Sequence, residues 1–276
     1  MIKDITIGQY YKADSVLHKC DPRTKLLLTV AFIVVIFLCK NFFALGLMTL
    51  LTIVSMLISK VPVKMFLKSM KPIIPLVLLT AILNIFYTTG GEVLISFWKI
   101  TIRDKAIFTA IFIAIRIFCL IIVSSLLTYT TTPTMLTDGI EKLLKPLDII
   151  LKPLNSFRVH TLAMMMTLAL RFIPTLIEEI DKIMNAQKAR GADLESGGIM
   201  QRAKALIPII IPLFVSSFRR AYELAFAMDC RCYTGGEGRT RMKQMKFRDR
   251  DLWVGIIFAL VFAGIIFMNY KFIAVI

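Results

Sequence analysis

From Leu26 to Ile58 the chain carries an almost unbroken apolar run, relieved only by Lys40-Asn41. The hydrocarbon core of a bilayer takes about 20 apolar residues per helix, or somewhat fewer where the ends snorkel. This run is too long for one span, so it predicts two short ones, Leu26–Cys39 and Phe42–Ile58, joined by a tight turn. Pro72–Tyr87 predicts a third span, with Pro72 and Pro75 tolerable near its start. Ala106–Tyr129 predicts a fourth and Leu252–Tyr270 a fifth. A chain that is 57% hydrophobic with a mean hydropathy of +0.75 fits a membrane protein, not a soluble domain.

The charge is distributed as in a membrane protein. Lys and Arg number 34 against 18 Asp and Glu, and cationic loops mark the cytoplasmic side. Lys3, Lys12, Lys19, Arg23 and Lys25 precede the first span, Lys60, Lys64, Lys68 and Lys71 follow the second, and the long stretch after the fourth is basic. These regions share one side if the N-terminus is cytoplasmic, which leaves the C-terminus outside. Lys99, Arg103 and Lys105 weaken the asymmetry without reversing it. Residues 60–71 are amphipathic and suit the headgroup plane, and Gly90-Gly91 before Val93–Trp98 suits a short hairpin. No basic run is interleaved with aromatics, so nucleic acid is not an expected partner. The polar start, Met1 to His18, does not read as a cleavable signal peptide.

Residues 132–251 read differently. Helical patterns run from Thr132 to about Leu144, stopping near Pro146, then from about Phe157 to Lys188, and from Ile199 to Met228. Leu162–Leu170 and Leu206–Val215 are as apolar as a span, yet Arg158, His160, Arg171, Pro174, Pro208 and Pro212 punctuate them. Ile173, Ile177, Ile180 and Met184 mark one helix face, as do Phe214, Phe218, Tyr222 and Ala225. As true spans these helices would put Lys182, Lys188, Arg190, Arg202 and Lys204 outside, against the charge rule. The preferred reading lays them along the cytoplasmic face. The fold class is therefore an all-α membrane protein with about five spans and a cytoplasmic domain of long amphipathic helices. Its parts are 1–131 (four spans), 132–251 and 252–276 (final span). Met164, Met165 and Met166 suit an irregular core, or else a surface that repacks against partners.

The second and third of these helices end alike, in Ala189-Arg190-Gly191 and in Cys230-Arg231-Cys232. A guanidinium framed by small residues can enter a partner's pocket and fork its donors onto carboxylates or carbonyls. A cation and a glycine at a helix C-terminus also serve plain capping. Catalytic patterns are missing: His18 and His160 pair with no Ser or Cys motif, and Gly235–Arg239 reads as a turn, not a phosphate loop. The five cysteines form neither a zinc pattern nor a disulfide framework. Arg116, inside the fourth span, is either a functional charge or a structural donor to another span. It is the one residue on which an alternative, a self-sufficient secondary transporter, would rest.

Taken together, His18–Lys25, Ser125–Pro133, Ala169–Pro174, Ala186–Asp193 and Gly235–Arg241 resemble the transmembrane T components (EcfT) of energy-coupling factor transporters, a CbiQ-like family. The resemblance covers nearly the whole chain. It implies a membrane domain with long cytoplasmic coupling helices whose two Ala-Arg-Gly-like motifs dock on two ATP-binding-cassette ATPases. A separate small membrane protein, the S component, would capture the vitamin or metal ion. Ala189-Arg190-Gly191 matches the first motif fully. Cys230-Arg231-Cys232 keeps the arginine and replaces both small neighbours. Met164, Met165, Met166, Pro174, Pro208 and Pro212 would belong to the S-component or structural interface. The chain itself would be no enzyme and bind no cofactor or metal, ATP and Mg residing on the ATPases. It would sit multi-pass in a prokaryotic plasma membrane.

Overall fold

A computed structural model describes residues 10–87, 93–97, 100–150, 159–192, 198–234 and 247–271. The chain divides into two compact units, one built from residues 140–243 and the other from 8–139 together with 244–276. Its helices, in order, are α1 (Val16–Lys19), α2 (Pro22–Leu38), α3 (Phe42–Ser59), α4 (Val63–Met70), α5 (Ile74–Tyr87), α6 (Asp104–Thr130), α7 (Pro133–Ile150), α8 (Val159–Ala189), α9 (Ile199–Cys230) and α10 (Asp249–Lys271). Strands β1 (Val93–Phe97) and β2 (Ile100–Arg103) pair antiparallel between α5 and α6. That hairpin is the one expected after Gly90-Gly91, though those glycines and Trp98 lie outside the described residues.

All five expected spans form helices, α2, α3, α5, α6 and α10. Among the described residues, six helical stretches are long and apolar enough to cross a membrane: Phe42–Ser59, Val63–Ile85, Asp104–Thr130, Val159–Ala189, Ala203–Cys230 and Asp249–Asn269. The 17-residue α2 is shorter than any of these. One expectation fails locally. Helix α7 runs past Pro146 to Ile150, because a proline removes one backbone donor and the apolar residues after it still continue the helix.

The membrane unit packs α2, α3, α6 and α10 around Phe32, Ile36, Leu45, Met48, Phe112 and Ile265, all at most 1% exposed. Around them Leu27, Phe37, Phe43, Leu50, Leu57, Leu260 and Phe267 face outward, as side chains bathed in hydrocarbon do. In lipid an apolar side chain gains little by turning inward, so shape fit and polar ties hold such a bundle. The ties are specific. Asp21 caps α2 by accepting from the Arg23 N–H at 3.0 Å, and its own N–H donates to buried Asp251 at 2.7 Å. Asp251 also accepts from the Arg248 N–H, so one carboxylate joins the start of α10 to the start of α2. At the far ends, Asn269 donates to the Leu38 carbonyl at 2.7 Å and accepts from the Lys40 N–H at 3.2 Å. Helices α2 and α10 therefore run parallel, clasped at both ends.

Two further ties fix α6. Buried Lys25 donates to the Thr130 carbonyl at 2.9 Å, placing a cation at the negative end of the α6 dipole. Helix α4 is anchored through buried Phe66, whose ring meets Tyr129 edge-on at 5.4 Å. The Tyr129 hydroxyl donates to the Met65 carbonyl. Val63, Lys64, Leu67 and Lys68 stay exposed, giving the amphipathic helix the sequence predicts.

Candidate functional site

The two arginine-bearing helix ends have the same backbone architecture. At the end of α8 the Ala192 N–H reaches the Gln187 carbonyl at 3.0 Å and the Gly191 N–H reaches Lys188 at 3.0 Å. Gly191 sits at φ +81°. This is a Schellman cap with Arg190 at the C-cap and Gly191 in the left-handed position. At the end of α9 the Tyr233 N–H reaches Met228 at 3.1 Å and the Cys232 N–H reaches Asp229 at 2.9 Å, with Cys232 at φ 54°. The second cap repeats the first position for position, with Cys232 standing where Gly191 stands. In sequence the motifs differ in both neighbours of the arginine. In structure Ala189, Arg190 and Gly191 superpose in role on Cys230, Arg231 and Cys232, and all six residues are exposed.

Helices α8 and α9 pair antiparallel. Glu179 accepts from the Arg220 guanidinium at 2.7 Å and from the Ser216 hydroxyl at 3.3 Å. Further along α8, Gln187 Nε2 donates to the Pro208 carbonyl at 3.3 Å. That carbonyl needs an outside donor, because the residue four positions on is Pro212, which has no N–H to offer. Eleven residues separate Glu179 from Arg190, and eleven separate Arg220 from Arg231. The two arginines thus point away from the Glu179–Arg220 pair in opposite directions, each by about 16 Å of helix rise.

The CbiQ family model, described as a cobalt transport protein, matches residues 13–242. The chain belongs to this family. It is 55% identical over 252 residues, 91% of this chain and 92% of the relative, to the "Energy-coupling factor transporter transmembrane protein EcfT" of Clostridium kluyveri. To the protein of the same name from Ruminiclostridium cellulolyticum it is 52% identical over 272 residues, covering 99% of this chain and all of that one. The Bacillus subtilis relative, also so named, is 43% identical over 267 residues, covering 97% and 98%. With its apolar helices, this CbiQ-family chain is a multi-pass membrane protein.

The other candidate residues fall into place around the helix pair or away from it. Met165 and Met166 are 59% and 44% exposed and Met164 is half-buried, so the triplet does not fill a core. Pro174, Pro208 and Pro212 lie inside α8 and α9 on exposed positions. On α9 the aromatic stripe Phe214, Phe218 and Tyr222 faces outward at 62%, 62% and 81% exposure, while Ile209, Ser216 and Arg220 face inward. Gln187, Glu179, Ser216 and Arg220 are the residues that sequence reading passes over. Only Pro208 spaced four before Pro212 signals, through its orphaned carbonyl, that a donor such as Gln187 must exist.

Arg116 is spoken for. Its guanidinium donates to the Cys39 carbonyl at 2.7 Å and lies 4.8 Å from the centre of the Phe112 ring. Cys39 is the C-cap of α2, so the cation closes the negative end of a neighbouring helix. This bond is a structural pairing of the kind the sequence leaves open beside a functional charge, and the guanidinium Nε is buried without a hydrogen-bond partner. Among the described residues no group of three or more His, Cys, Asp or Glu could hold a metal ion.

Proposed function

We propose that this chain is the coupling subunit of an energy-coupling factor transporter. It transmits ATP-driven movement of two ATP-binding-cassette ATPases to a membrane-embedded S component that captures a vitamin or metal ion. The observation that carries this reading is the pair of matched caps, which present Arg190 and Arg231 at opposite ends of one antiparallel helix pair. Two equivalent cationic tips facing apart suit two similar partners. The relatives named as transporter transmembrane proteins support the same reading.

In this mechanism each ATPase holds one arginine tip in a groove. Its approach to the other ATPase on binding ATP and Mg swings the tips, and α8 and α9 carry the motion to the S component. Met164, Met165, Met166 and the exposed aromatic face of α9 supply adaptable apolar contact for that partner. The chain hydrolyses nothing itself. In a prokaryotic plasma membrane the basic loops favour a cytoplasmic N-terminus and an outer C-terminus.

The test is co-purification with partner ATPases. Removing a buried, hydrogen-bonded arginine at an interface costs about 2–5 kcal/mol, roughly 30-fold or more in affinity. Arg190→Glu and Arg231→Glu should each weaken recovery of the ATPases, and the double change should abolish it together with uptake. Full assembly and uptake by the double variant would refute the proposal.

A further inference from the structure

Three cations from three separate elements meet at one rim of the membrane unit. Lys19 ends α1, Lys60 is the C-cap of α3, and Arg250 lies in the first turn of α10. With Asp14, Ser15, Val16, Leu57 and Ile58 they line an open cleft of about 440 Å³. Leu57 and Ile58 belong to the last turn of the α3 span and are 65% and 45% exposed, so the cleft has an apolar floor at the level where hydrocarbon gives way to headgroups. The left-handed backbone at Lys60, φ 57°, ends α3 abruptly and sets this lysine at the rim. Arg250 marks the same depth on α10, two residues before its apolar run begins at Leu252.

The charge of the cleft is unbalanced. Lys19 pairs with Asp14 at 3.2 Å, and Asp14 is the one acid among the described residues of the lining. Lys60 and Arg250 have no ion-pair partner among the described residues. The carboxylate nearest in sequence to Arg250 on the buried side, Asp251, is already held by the N–H groups of Asp21 and Arg248. Two cations over an apolar floor at interface depth call for a ligand with an anionic head and an acyl tail. We propose that this cleft is a binding site for an anionic glycerophospholipid. Its phosphate lies between Lys60 and Arg250, and one acyl chain descends along Leu57 and Ile58. Cationic pockets between transmembrane helices recognise such headgroups, and arginine forks its donors onto phosphate.

The proposal does not depend on coupling, and its test does not involve ATPases. Trp253 lies one turn after Arg250, is 65% exposed, and is one of two tryptophans in the chain. In a Trp98→Phe background it reports on lipid beside the cleft. In vesicles mixing phosphatidylcholine with brominated phosphatidylglycerol, Trp253 should be quenched at least twofold more than with brominated phosphatidylcholine at the same mole fraction. Lys60→Gln with Arg250→Gln should erase that difference, whereas Lys64→Gln with Lys68→Gln on α4 should leave it intact. Equal quenching by the two brominated lipids in the parent protein would overturn the proposal, whatever the variants do. So would an equal loss in the α4 variant, which would assign the effect to diffuse surface charge.

Discussion

Cys232 holds a backbone conformation in which its Cβ crowds the next carbonyl, at about 1–2 kcal/mol for an L residue. Gly191 occupies the matching position of the other cap without that cost. Cys232→Gly should therefore steady the end of α9 by about 0.5–1 kcal/mol, after allowing for the freer unfolded chain. Hydrogen exchange at the Cys232 and Tyr233 amides should slow accordingly, and Gly191→Cys should speed exchange at Gly191 and Ala192. A second residue with a single defined task is Arg116. Arg116→Met leaves the Cys39 carbonyl without its donor and should lower thermal stability by about 1–2 kcal/mol, while Arg116→Lys retains part of it. A third is His18, whose Nε2–H donates to the Tyr11 carbonyl while Nδ1 accepts from Ser15. Burial holds its pKa below the ordinary 6.5, with the Lys25 charge adding to the effect. Just below 6.5 the unfolded chain thus binds more protons than the folded one, so this corner loses stability as pH falls through 6.5 and levels off below the folded pKa. Protease sensitivity of residues 10–20 should rise between pH 7.5 and 5.5, and His18→Gln should remove that dependence.

Between elements, the Glu179–Arg220 pair acts as the fixed point of α8 against α9. A rotation of about 10° there sweeps each arginine by about 3 Å, given 1.5 Å of rise per residue. Both side chains are partly exposed, so the pair contributes only about 1 kcal/mol. Glu179→Arg should loosen the hairpin, and adding Arg220→Glu should restore it. Distances between spin labels on α8 and α9 would read both outcomes. How far the helices were legible in sequence follows from where their signals lie. The ends of α8 and α9 follow local patterns, an apolar period broken by a cation and a cap, and fall within two residues of their expected places. The face of α9 that meets α8 does not. Phe214, Phe218 and Tyr222 form the most apolar stripe and would be read as the packing side, yet Ser216 and Arg220 face α8. Their partner Glu179 is 37 and 41 positions away, and such a pair leaves no mark on local periodicity. The likeness of the two arginine ends is legible in the sequence, but their matched backbone is not: it lies in dihedral angles, and Cys232 is not a residue that announces a left-handed turn.

At the scale of the whole molecule, the parallel course of α2 and α10 constrains the topology. Two parallel spans at the ends of a series are separated by an odd number of crossings in all. Five satisfies this, as does seven with α8 and α9 included, and six does not. Where both helices cross the bilayer, the segments before α2 and after α10 lie on opposite sides. With the native cysteines replaced by serine, Lys12→Cys and Lys271→Cys should react with an impermeant maleimide from opposite faces of sealed vesicles. Labelling of both from one side would break the parity. The spans themselves are plain in the sequence because hydrocarbon demands contiguous apolar residues. The clasps that order them are single polar groups, Asp251 and Asn269, which bond some 230 positions back along the chain.

Those clasps also set a timetable. The membrane unit is interrupted by residues 140–243 and resumes only at 244, so on the ribosome its first spans wait for their last. Until α10 emerges, the Asp21 N–H and the Leu38 carbonyl have no Asp251 or Asn269 to meet. A chain that stops inside the intervening unit leaves the bundle open at both clasps. Closure by α10 certifies that everything translated before it is present.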